Sequence, residues 1–110
     1  GTPGQVAARA ALADQTYLRT SVTATVRDRK ALGASLEAEG LRVAPSQANF
    51  VLVDVGKPGR AVYEALLHEG VIVRPMPPPL RSWIRVTVGL PHENARFLDS
   101  LGRVLRESRA

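Results

Sequence analysis

The sequence predicts a small α+β domain: a mixed or antiparallel sheet of three to four strands covered by helices. Three observations predict it. Apolar spacing switches between helical and alternating patterns along 110 residues, giving the order α, α, β, β, α, β, β, α. No Gly-, Ser- or Pro-rich stretch is long enough to divide the chain. With 45 % hydrophobic residues, a chain of this length buries roughly two thirds of the surface it exposes unfolded. One domain over residues 1–110 is therefore expected.

The first element is a short helix over Gln5–Asp14, where Val6, Ala7, Ala8, Ala10, Ala11 and Leu12 are mostly strong helix formers and Pro3 sits where a first turn accepts it. Asp14 then caps a long amphipathic helix over residues 16–39. Its stripe is Leu18, Val22, Val26, Leu32 and Leu36, most of its charges fall elsewhere, and Gly40 ends it. Leu41–Ala44 reads as a short strand, Pro45-Ser46 as a turn, and Phe50–Val55 as a β-rich run closed by Gly56. Helical spacing returns over Arg60–Glu69 with Ala61, Tyr63, Ala65, Leu66 and Leu67, and Gly70 stops it. Val71–Arg74 is a third strand, and Pro75, Pro77, Pro78 and Pro79 make a stiff connection. Ile84–Val88 alternates as the last strand. Gly89-Leu90-Pro91 hands over to a final helix with Ala95, Leu98, Leu101, Val104 and Leu105. Period-two alternation sends Ile84, Val86 and Val88 to the helices and leaves Arg85 and Thr87 on the second face, which needs water or a partner.

Composition narrows the function. Without cysteine there is no disulfide, thiolate metal site or Cys nucleophile. Apolar runs such as Phe50–Val53 fall far short of the roughly 20 residues that span a bilayer, so no membrane role is expected. The net charge of +5 raises the expectation of an anionic partner. Nucleic acid is not expected: the basic residues are scattered, and only Phe50 and Trp83 offer aromatic platforms. The chain opens Gly1-Thr2-Pro3-Gly4 without an initiator Met, as an excised piece of a longer protein would.

Arg85 is the leading candidate residue, because a guanidinium fixed on a strand holds a carboxylate or phosphate in a bidentate fork. On spacing alone, a solvated arginine on an exposed sheet face explains it as well. Arg74 adds a second positive charge or is an ordinary strand-end arginine. Asn49 and Ser46 read as turn formers. His68 and His92 have no carboxylate at metal-ligand spacing, so no metal site is expected. No nucleophile with a nearby base and no Gly-rich phosphate loop appears.

Three segments, in order, carry a resemblance: Pro45-Ser46-Gln47-Ala48-Asn49-Phe50-Val51-Leu52-Val53, Leu66 to Arg74, and Trp83 to Asn94. Together they resemble the C-terminal small domain of histidinol-phosphate aminotransferases, within the pyridoxal-phosphate aminotransferases of fold type I, over about Ala7 to Leu105. The resemblance implies a parent enzyme moving an amino group between histidinol phosphate, or a related amino acid or phosphate, and 2-oxoglutarate. Arg85 would hold the substrate's acidic end, Arg74 would assist it, and Ser46 and Asn49 would serve at a turn or domain interface. It also implies a cofactor held by a large domain absent from these 110 residues, a homodimeric parent and a cytoplasmic setting. Neither Lys30 nor Lys57 matches the family's Schiff-base segment, so the chain alone is expected to be inactive, with no catalytic residue of its own. A free-standing α+β ligand-binding or regulatory module remains the second reading.

Overall fold

A computed structural model describes residues 22–107. The expected helix over residues 5–14 and the start of the second lie outside them. Helix α1 is described over residues 22–38, followed by β1 (Arg42–Ala44), β2 (Phe50–Asp54), α2 (Gly59–His68), β3 (Arg74–Pro75), β4 (Trp83–Thr87) and α3 (Pro91–Glu107). The strands form one sheet in the order β1-β2-β4-β3. Every pairing is antiparallel, which decides between the mixed and antiparallel sheets the sequence left open.

Alternation divides the sheet as expected. Val51, Val53, Ile84 and Val86 point inward, all at most 4 % exposed, and meet Leu32 and Leu36 of α1, Val62 and Leu66 of α2, and Phe97, Leu101, Val104 and Leu105 of α3. The opposite face carries Phe50, Leu52 and Asp54 of β2 and Trp83, Arg85 and Thr87 of β4. The ladder sets Leu52 beside Arg85 and Arg85 beside Arg74.

Two of the strands begin later than their composition predicts, and at both the first expected residue is still closing a helix. Helices α1 and α2 both end in a Schellman motif, with Gly40 (φ 86°) and Gly70 (φ 79°) in the left-handed conformation that glycine adopts without a Cβ clash. Gly40 N–H donates to Glu37 O and Leu41 N–H to Leu36 O, while Gly70 N–H donates to Leu67 O and Val71 N–H to Leu66 O. The amides of Leu41 and Val71 therefore close helices instead of joining the sheet. The third strand, expected over Val71–Arg74, is a two-residue ladder at Arg74–Pro75, extended only by Met76 N–H donating to Trp83 O at 3.1 Å.

Helix α3 starts with Pro91, whose missing N–H costs nothing in a first turn. Glu93 accepts from Leu90 N–H at 2.8 Å, which is half of a capping box. Asn94 accepts from Gly89 N–H at 2.9 Å and donates to Gly89 O at 3.1 Å. These bonds fix the turn between β4 and α3. No helix among the described residues is long and apolar enough to cross a membrane.

Candidate functional site

The middle of β4 positions Arg85. Its neighbours Ile84 and Val86 are 0 % and 4 % exposed, so the strand cannot slip by one residue without burying the guanidinium and exposing both. On the open face, the guanidinium carbon of Arg85 lies 5.3 Å from the centroid of the Phe50 ring. That distance fits a cation–π contact and gives the half-buried side chain a platform. Arg74 is its direct partner across the β3–β4 ladder, so two guanidinium-bearing residues share one face at adjacent positions.

Both arginines line a cavity of about 480 Å³. Its other walls are Ile72, Val73 and Pro75 leading through β3, Thr87 of β4, and Arg60 and Tyr63 projecting from α2. Ion pairs among the described residues engage Arg27, Arg60 and Arg103, and neither Arg74 nor Arg85 is among them. Like charges at adjacent sheet positions repel, and among the described residues no carboxylate neutralises this pair. The arrangement can receive an anion. A neighbouring cavity of about 520 Å³ reaches the start of α3, but its Glu93 and Asn94 side chains are engaged in the bonds that fix that turn.

The remaining sequence candidates lie elsewhere. Ser46 Oγ accepts from Ala48 N–H at 3.2 Å, a turn role, and Asn49 O accepts from Val88 N–H at 2.8 Å. His68 ends α2 and His92 stands in the first turn of α3, both exposed. Among the described residues, no group of three His, Cys, Asp or Glu side chains is placed to hold a metal ion. The sequence marks Arg60 and Tyr63 only as helix residues. Their spacing of three puts them on one side of α2, and only the packing of α2 against β3 brings that side to the cavity.

Aminotransferase class I and II sequences match residues 1–101. The chain belongs to that aminotransferase family. The histidinol-phosphate aminotransferase 2 of Hydrogenovibrio crunogenus is 41 % identical over 106 residues, 94 % of this chain and 28 % of that protein. The histidinol-phosphate aminotransferase of an Anaeromyxobacter species is 46 % identical over 103 residues, 92 % of this chain and 28 % of its own length. Among solved structures, the Sinorhizobium meliloti histidinol-phosphate aminotransferase in complex with pyridoxal-5'-phosphate superposes with a TM-score of 0.79 at 34 % identity, over 89 % of this chain and 28 % of that one. The Clostridium acetobutylicum enzyme gives 0.76 at 27 % identity, over 86 % and 30 %. This aminotransferase segment thus spans a little over a quarter of the relatives it matches.

A covalently held aldehyde cofactor needs a lysine at its site. Lys30 lies on α1 beside Gly33 and Val43, Lys57 follows Gly56 in the turn after β2, and neither lines the cavity with Arg74 and Arg85. The residues lining this cavity therefore do not supply the cofactor's lysine, and what they present to a ligand is positive charge.

Proposed function

We propose that this chain is the C-terminal small domain of a pyridoxal-phosphate-dependent aminotransferase, and that Arg85 and Arg74 bind the anionic group of its substrate. The observation that carries the reading is the placement of these two residues as register partners at one cavity, with no acidic partner among the described residues. The names of the relatives support an amino-phosphate substrate, histidinol phosphate, and the proposal takes 2-oxoglutarate as the acceptor. When bound, pyridoxal phosphate takes up and releases the amino group, and a large domain outside these 110 residues holds it. A homodimeric parent completes the proposal.

The residues present do what an electrostatic clamp requires. Arg85 offers its guanidinium fork from a rigid strand, Arg74 adds charge from the sheet edge, and Phe50 fixes the orientation of Arg85. The visible absorption of the full-length protein tests the reading, recorded before and after histidinol phosphate is added without an oxo acid. A cofactor band that shifts is the expected result. A band that histidinol phosphate leaves unmoved while another amino donor shifts it overturns the substrate. No band even with added pyridoxal phosphate overturns the class, and the free-standing module takes its place.

A further inference from the structure

A third arginine lines the cavity and is only loosely engaged. Arg60 occupies the first turn of α2, which has no acidic residue, so its charge adds to the positive end of the helix dipole where a carboxylate would offset it. Among the described residues its ion-pair partner is Glu64, a turn further on, with Nε and Oε1 3.6 Å apart and the two side chains 80 % and 60 % exposed. A pair this long and this wet holds its partners weakly. Arg60 also lines the cavity that Arg74 and Arg85 share, and Glu64 does not.

A singly charged carboxylate is already matched by two arginines. A phosphate monoester carries close to two negative charges near neutral pH and several strong acceptor oxygens, so it attracts a third cation about twice as strongly as a monoanion does. We infer that Arg60 is a third anion-binding residue, which exchanges Glu64 for a phosphate monoester dianion in the cavity and so biases the site toward doubly charged substrates. The inference rests on the proposed role of Arg74 and Arg85. It assigns Glu64 the opposite effect, because its carboxylate competes with the ligand for Arg60.

The test is calorimetric titration of the full-length protein with inorganic phosphate at pH 8, where it is a dianion, and with acetate as a monoanion, alongside KM and kcat for amino transfer from a phosphate-bearing donor. Arg60→Gln is expected to weaken phosphate binding about two- to fivefold, to weaken acetate binding less, and to raise KM with kcat unchanged. Glu64→Gln, also at an exposed position and therefore tolerated by the fold, is expected to tighten phosphate binding by a similar factor. Both effects shrink in high salt, as exposed charges require. Equal loss for phosphate and acetate, shifts of the same sign in both variants, or no shift in either overturns the inference, whether or not amino transfer is observed. Absence of amino transfer with the opposite shifts intact overturns the enzymatic reading and leaves the three-arginine site standing.

Discussion

Arg74 and Arg85 are directly opposite one another across the β3–β4 ladder, so the sheet sets two like charges side by side on one face. Such a pair opposes folding by about 0.2 to 1 kcal/mol, and the low end applies here because Arg74 is exposed. Replacing Arg74 by Gln is therefore expected to raise the stability of the domain slightly while weakening anion binding. Urea unfolding with and without added phosphate reads both effects. A variant that loses stability in the absence of anion would mean that Arg74 is held by the fold and not poised for a ligand.

Phe50 and Arg85 are diagonal neighbours on the open face, and the ring lies under the guanidinium at 5.3 Å. Exposed cation–π contacts contribute about 0.5 to 1 kcal/mol. Phe50→Leu keeps apolar bulk but removes the ring face, so KM for the anionic substrate is expected to rise about two- to fivefold, with kcat and cofactor absorbance retained. Loss of kcat with unchanged KM would place Phe50 in another role.

The parts of this fold that the sequence made legible are those set by local periodicity. Leu32 and Leu36 on one stripe of α1, and Ile84 and Val86 on one face of β4, are buried as their spacing requires. Leu41 and Val71 have strand propensity but donate their amides to the preceding helices, so neither opens the strand its composition predicts. A propensity scale does not contain that competition. The site was legible as two arginines and not as a cavity. Their convergence depends on the β3–β4 register across a proline-rich connection, and Arg60 and Tyr63 join only through the packing of α2 on the sheet edge.

Arg103 on α3 binds Glu69 at the end of α2 and Asp99 one turn back, linking two of the described helices that cover the sheet. Its hydrogen bond holds the Glu69 carboxyl below the ordinary value of 4.5, and its charge and the Ser100 hydroxyl act in the same direction. A carboxylate whose pKa is lowered by folding stabilises the folded state above its unfolded pKa, and the contribution is lost as pH falls through the folded value. Glu69→Gln is therefore expected to lower the thermal midpoint at pH 7, with the gap to the parent chain closing as pH falls below 4.5. Thermal melts across that range check it. A constant gap would assign the loss to packing.

Gly59 and Gly33 both lie in helices, yet alanine is expected to act on them with opposite sign. A Cβ at Gly33 would meet only Val43 Cγ1 at an ordinary 3.8 Å, so Gly33→Ala gains helix propensity of about 1 kcal/mol. At Gly59 the Cβ would come within 2.8 Å of Trp83 O and 3.0 Å of Arg81 O, where Gly59 N–H already donates to Arg81 O at 2.6 Å. Backbone cannot swing aside as a side chain can, so the clash outweighs the propensity gain and costs about 1 to 3 kcal/mol. Moving the start of β4 relieves the clash, and Arg85 sits two residues beyond Trp83. Gly59→Ala should therefore lower the urea midpoint and weaken phosphate binding together, whereas Gly33→Ala raises the midpoint and leaves binding alone. Loss of stability at Gly59 with unchanged phosphate affinity would show that β4 keeps its place and that α2 yields instead.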